Sequence, residues 1–225
     1  MSSALTGSVP VIAVDGPAAS GKGTIAAGVA TALGFHLLDS GALYRLVALA
    51  ALEQGIALTN ADALGRAALA LDATFAPGIV MSAGRELTAR LRDEDVSSAA
   101  SRVAVFPGVR QALLARQRVF RQAPGLVADG RDMGTVVFPD AVLKVYVTAS
   151  LEERAARRYK QLIAKGISVT IDGLLRELRE RDERDTGRVE APLKPAADAV
   201  RIDTSGRLAA DSIGDVLGLW QGRTH

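Results

Sequence analysis

Gly16-Pro17-Ala18-Ala19-Ser20-Gly21-Lys22-Gly23-Thr24 is a glycine-bounded loop that ends on a lysine. An apolar run from Val9 to Val14, broken only by Pro10, precedes it and reads as a buried strand. Ile25 to Leu33 follows it with a helical pattern. Strand, loop, Lys and helix in this order form a phosphate-binding loop. Gly16 and Gly21 let the backbone approach an anion closely. Backbone N–H groups converge on that anion, and the helix N-terminus adds partial positive charge. Lys22 has the reach for the outer phosphates of a nucleoside triphosphate. The strict pattern places Ser or Thr directly after Lys, whereas here Gly23 stands between Lys22 and Thr24.

Outward from the loop, further apolar runs read as strands at Phe35 to Leu38, Leu126 to Ala128, Val142 to Val147 and Val200 to Ile202. Helical patterns separate them at Leu43 to Gln54, Val109 to Arg121, Glu152 to Lys165 and Ala209 to Trp220. This alternation predicts an α/β fold, a parallel sheet with helices on both faces and ligands beyond the carboxyl ends of its strands. Two segments break the rhythm. Leu71 to Leu91 reads as short antiparallel strands with turns at Ala76-Pro77-Gly78 and Ala83-Gly84. Glu152 to Arg188 is a charge-dense helix pair broken at Gly166. By itself it is a solvated pair; beside a triphosphate site it reads as a mobile, arginine-bearing lid.

The 225 residues suffice for one good-sized core with an insertion. With 27 basic against 25 acidic residues the net charge is +2, too balanced to point to nucleic acid. Cysteine is absent, which excludes disulfides, thiolate zinc sites and a cysteine nucleophile. His36 and His225 are too few for a histidine metal site. Met1 to Val9 lacks the basic and apolar regions of a signal peptide, and no apolar run reaches membrane-spanning length. A soluble, cytoplasmic protein is expected.

Four constellations carry chemistry. Asp39-Ser40-Gly41-Ala42-Leu43-Tyr44-Arg45 follows the second strand, where Asp39 or Ser40 caps a helix whose start is also an anion site. Asp129, at the end of an apolar strand, resembles an acid that orients magnesium or its waters, with Arg131 and Asp132 just beyond it; the alternative is a charged turn. Ser101 and Arg110 flank Phe106-Pro107 and, by themselves, read as helix surface. Arg181, Arg184 and Arg188 share one helical face as far as Gly187, and such a guanidinium row suits phosphates. No histidine base stands out. That favours an acceptor that is itself a phosphate, because phosphoryl transfer needs positioning and charge neutralisation above all.

Together these stretches resemble the bacterial cytidylate kinases of the nucleoside monophosphate kinase superfamily. The resemblance is carried by Gly16 to Thr24, Leu37 to Arg45, Ser98 to Arg110, Ala128 to Ala141 (ADGRDMGTVVFPDA) and Glu180 to Pro192, and it runs from about Pro10 onward. The Gly-Lys-Gly-Thr variant is usual in that superfamily. The resemblance implies a P-loop three-layer fold with about five parallel strands, an enlarged monophosphate-binding insertion and a helical lid. The core would be residues 10–62 and 106–225, with the lid at about 152–190, the CMP-binding insertion at 63–105 and a tail at 1–9. It implies a monomer that uses ATP and Mg2+ to phosphorylate CMP and dCMP, with no nucleic acid or membrane partner. By the same resemblance Gly16, Pro17, Ala18, Ala19, Ser20, Gly21, Lys22, Gly23 and Thr24 bind ATP, and Thr24 and Asp129 hold the metal partly through water. Ser101, Arg110 and Asp132 contact cytosine, Arg181 and Asp185 the sugar, and Ser40, Arg45, Arg131 and Arg188 the monophosphate. Lys22, Arg131, Arg154, Arg158, Arg181 and Arg188 are the expected catalytic cations, with Arg157 a further lid arginine. Another P-loop kinase of small metabolites is the alternative enzyme. A guanine-nucleotide switch would carry an Asn-Lys-x-Asp base reader, which the chain lacks.

Overall fold

The computed structural model describes residues 9–76 and 78–223. Most of the expected tail, Pro77 of the first hairpin turn and His225 lie outside the described residues.

Five parallel strands form the main sheet: β1 (Val11–Asp15), β2 (His36–Asp39), β6 (Leu126–Gly130), β7 (Leu143–Thr148) and β8 (Val200–Asp203), in the order β2-β6-β1-β7-β8. β1 occupies the centre. Its residues Val11 to Val14 are all apolar because both faces are covered, and Asp15 ends it. Val11 and Ala13 join one core, Ile12 and Val14 the other, as the two-residue period of a strand requires. All five strands were legible as apolar runs, displaced by a residue or two.

On the Ile12 face lie α1 (Lys22–Leu33) and α8 (Ala209–Gln221). α1 begins at Lys22, three residues before the expected Ile25, because Gly21 takes a left-handed conformation (φ 87°) and starts the helix inside the loop. Phe35 and Trp220 close this layer edge to face, with ring centroids 5.6 Å apart.

On the Ala13 face lie α2 (Ser40–Glu53), α3 (Ala61–Leu69), α4 (Glu94–Val103) and α5 (Pro107–Val119). α3 is a helix that apolar runs did not announce, and it spans the boundary drawn at 62/63. The antiparallel segment is a three-stranded sheet of β3 (Ala73–Ala76), β4 (Ile79–Ser82) and β5 (Arg85–Glu86). Leu64, Leu87, Leu91 and Val96 bury in one cluster with Leu38, Leu46 and Leu49, so the insertion shares the core of the main sheet. That shared core carries α4, and with it Ser101, toward the carboxyl ends of the strands.

α6 (Leu151–Ala164) and α7 (Ile171–Thr186) make the charged hairpin, with Gly166 at the break in a positive-φ conformation. Ala155, Leu162, Leu174 and Leu178 hold the pair together, and Ala18 of the phosphate loop packs into the same cluster. Among the described residues no helix is long and apolar enough to cross a membrane.

Candidate phosphoryl-transfer site

β1 delivers the phosphate loop. A Cβ on Gly16 would lie 2.1 Å from the Val147 carbonyl oxygen, so only glycine lets the chain leave the sheet here. Gly16→Ala should cost about 2 kcal/mol or more of stability, because the clash is with backbone that cannot yield. A urea titration reads this directly, and an unchanged midpoint would contradict it. Beyond Gly16 the loop turns through Ala19 (φ 59°) and Gly21, and the Lys22 Nζ folds back to donate to the Pro17 carbonyl at 3.1 Å. Burial, aided by the nearby Arg131 guanidinium, pushes the Lys22 ammonium down to about 8. The Asp129 carboxylate stands 3.9 Å away and opposes that shift.

Gly23 has a tertiary explanation. A Cβ there would come within 3.1 Å of the Asp129 Oδ2, so a side chain between Lys22 and Thr24 would crowd the carboxylate that ends β6. Asp129 is partly buried, its shielded Oδ1 accepts no hydrogen bond, and desolvation raises its pKa. Thr24 is exposed at the mouth of the same cleft. Among the described residues no cluster of three His, Cys, Asp or Glu side chains can hold a metal ion. One orphaned carboxylate oxygen and one hydroxyl match a magnesium ion, which takes few protein ligands and completes its shell with phosphate and water.

The residues after Asp129 were open between a site and a charged turn. Gly130 ends β6, and Met133–Val137 form a π-helical turn. Between them, Arg131 donates from Nε to Asp185 at 3.0 Å, and Arg110 forms a buried ion pair with Asp132. Arg188 pairs with the other oxygen of Asp185. Burial alone would raise the Asp185 carboxyl, but Arg131, Arg188 and Arg181 outweigh it and hold the group below its usual range. Burial raises Asp132, with Arg110, Arg188 and Arg131 countering. The Arg110 guanidinium also lies 5.8 Å from the centre of the Tyr44 ring.

These side chains line one cleft of about 320 Å³ between the phosphate loop, α2, α4 and α7. Ser40, Arg45, Ser101, Arg110, Arg131, Asp132, Arg181, Asp185 and Arg188 all reach it, as do Ala18, Ala19, Gly21, Lys22, Gly23, Thr24 and Asp129. Gly16, Pro17 and Ser20 sit behind that lining. Ser101 and Arg110, read by themselves as helix surface, are only 4% and 8% exposed. α5 buries Arg110 in one stripe with Val109, Leu113 and Gln117, so the guanidinium occupies a core-facing position.

Six cations of the lining, Lys22 and Arg45, Arg110, Arg131, Arg181 and Arg188, face four carboxylates, Asp39, Asp129, Asp132 and Asp185. The Nε atoms of Arg45, Arg181 and Arg188 are buried without a hydrogen-bond partner. Burial and the neighbouring Arg131 push Arg181 down to about 10. Buried donors left unpaired cost free energy that an anionic ligand would recover. Arg45 is aimed by Asp39, which accepts its Nη2 at 2.5 Å and caps α2 through the Ala42 N–H at 3.2 Å.

The expected lid cations are engaged elsewhere. Arg154 grips both oxygens of Asp182 at 3.1 and 2.6 Å and donates to the Ala18 carbonyl at 3.3 Å. Arg158 pairs with Glu94 at the start of α4. Arg157 donates to the carbonyls of Ser20 at 3.3 Å and Thr204 at 2.5 Å, which ties α6 to the phosphate loop. Arg184 leaves the expected row and donates to the Ser101 hydroxyl at 3.3 Å, while Arg188 lies beyond the end of α7.

One residue escaped sequence reasoning. Asp15, the last residue of β1, is 4% exposed and accepts the backbone N–H groups of Met133 and Gly134, each at 2.8 Å. Burial pushes it up to about 7. A carboxylate closing a central strand and preceding Gly-Pro was the available signal, since a buried acid must find donors.

The Cytidylate kinase family pattern matches residues 12–221. A cytidylate kinase of Bordetella bronchiseptica is 58% identical over 97% of this chain and 98% of its own length. One of Paraburkholderia phytofirmans is 61% identical over 94% of this chain and 92% of its own. A solved structure from Thermus thermophilus, TT1252, is a looser likeness: 22% identity over 96% of this chain and 98% of its own, with a TM-score of 0.47.

Proposed function

The chain belongs to the cytidylate kinase family, and on that premise we propose that its cleft transfers the γ-phosphoryl group of ATP to CMP and dCMP. The products are ADP and CDP or dCDP. The observation that carries the assignment is the single cleft in which the phosphate loop meets buried, unpaired guanidinium donors and a buried Arg110–Asp132 pair.

Donor and acceptor bind on opposite sides of Lys22. The loop Gly16 to Thr24 takes the ATP phosphates, and Lys22 neutralises charge on the transferred group. Ser40, Arg45, Arg131 and Arg188 take the acceptor phosphate, and Arg181 and Asp185 the sugar. Cytosine offers an N4 amino donor, which the Asp132 carboxylate accepts, and N3 and O2 acceptors, which Arg110 and Ser101 serve. Uracil would turn O4 toward Asp132, one acceptor facing another. Because the acceptor phosphate is already an anion, no general base is needed; positioning and electrostatic stabilisation do the chemistry. Thr24 and Asp129 would hold magnesium, which when bound shields the charge of the donor phosphates. Arg154 and Arg158 reach the transferred group on exchanging Asp182 and Glu94 for phosphate. Residues 63–105 supply the base-facing wall through Ser101. Both halves of the cleft come from one chain, which supports a monomer.

Coupled ADP release with ATP and magnesium tests the assignment on CMP, dCMP, UMP, AMP and shikimate. Stimulation confined to CMP and dCMP is the expected result, and none by either would overturn it. The same site has a pH signature. The Lys22 ammonium is pushed down to about 8, and polyphosphate would raise that value, so the affinity for ATP is full below about pH 8 and declines as pH rises through it. Calorimetry at pH 8.5 in two buffers should detect uptake of a fraction of a proton on ATP binding. Zero uptake would contradict the lowered value of the Lys22 ammonium.

A further inference from the structure

We propose that Asp15 is a positioning residue for the acceptor side, holding the turn that presents Arg131 and Asp132 to the cytosine nucleotide. Its two carboxylate oxygens divide the labour. Oδ1 accepts the Met133 N–H and Oδ2 the Gly134 N–H, both at 2.8 Å. These are the first two residues of the π-helical turn, and Asp132 is the residue immediately before it.

The opening N–H groups of any helical turn lack partners within the turn and are ordinarily capped by a side chain just upstream. Asp132 stands at that upstream position, but its carboxylate is committed to Arg110. The cap therefore comes from a residue 118 positions away. From the other side, the Asp132 carbonyl accepts the Val136 and Val137 N–H groups at 2.9 and 3.1 Å. The backbone of Asp132 is thus held on both flanks, and its side chain is left free to pair with Arg110 and face the cleft.

Packing completes the restraint. A Cβ on Gly134 would lie 3.1 Å from the Lys144 Cδ and 3.5 Å from the Ala13 Cβ, so the turn rests directly on β1 and β7. Asp15 is also the residue before Gly16. One buried carboxylate therefore joins the start of the ATP loop to the base of the CMP site, and the two half-sites keep a fixed separation. In-line transfer depends on such a separation, since small misplacements cost large factors in rate.

Asp15→Asn keeps the shape of the side chain and one of the two accepted bonds, and replaces the other by an N–H facing an N–H. The expected result is a KM for CMP raised about tenfold, a KM for ATP within about twofold, and a smaller preference for CMP over UMP. Equal changes in both KM values, or an unchanged enzyme, would overturn the proposal. Should the variant not fold, the wild-type protein decides by amide hydrogen exchange. Protection of Met133 and Gly134 comparable to that of β1 supports the bond, and exchange like that of an open loop overturns it. The inference rests on the CMP assignment, whose failure would appear as a wild type that CMP does not stimulate, distinct from a variant that merely matches wild type.

Discussion

Lys22→Ala should lower kcat about 10³-fold while the chain stays folded. Lys22 is the cation carried by the phosphate loop itself, buried at the floor of the cleft and tethered to the Pro17 carbonyl at 3.1 Å. In a site screened from water, one preorganised cation on a transferring phosphoryl group supplies about 4 kcal/mol of transition-state stabilisation. The neighbouring arginines do not replace it. Arg131 serves the acceptor phosphate, and the loop from Gly16 to Thr24 carries no other cation to take the place of Lys22. The fold tolerates the loss because burial already disfavours the ammonium, as its downward shift to about 8 records. Turnover by coupled ADP release and a thermal melt measure the two halves of the expectation. Activity within tenfold of wild type would remove the phosphate loop from the mechanism.

Asp132→Asn should lower kcat/KM for CMP about 10²-fold and leave the KM for ATP nearly unchanged. A hydrogen bond from the cytosine amino group to a buried carboxylate is charge-assisted, and losing the charge costs about 2–3 kcal/mol. Arg110 is then left in a buried position without a counter-charge, so part of the loss is misalignment of the second base reader. The amide can also donate to an oxygen, so UMP should gain relative to CMP. Steady-state kinetics on both nucleotides reads the ratio. Equal losses for CMP and ATP would show that Asp132 supports the whole cleft and does not read the base.

The local chemistry of the site was legible wherever one short stretch contained it. Gly16 to Thr24 announced a phosphate loop from spacing alone, because backbone conformation and helix-terminal charge are properties of consecutive residues. The capped start of α2 at Asp39 and Ser40 was legible for the same reason. Ser101 and Arg110 were not. Their own segments offered only helix surface, and whether a polar residue points to solvent or into a cleft depends on what packs over it. Here α7 and the turn after β6 cover them, through Arg184 on Ser101 and Asp132 on Arg110.

The sequence by itself determined the five strands of the main sheet, the loop between the first strand and first helix, and a charge-dense hairpin near the end. Those features follow from periodicity and from glycine, which act over a few residues. Only the tertiary structure decided which charge meets which. Asp15 reaches Met133 across 118 positions, Arg131 reaches Asp185 across 54, and Arg110 reaches Asp132 across 22. It also explained Gly23, whose missing side chain leaves room for Asp129. Electrostatic energy depends on distance and burial in space, and neither is encoded in the separation of two residues along the chain.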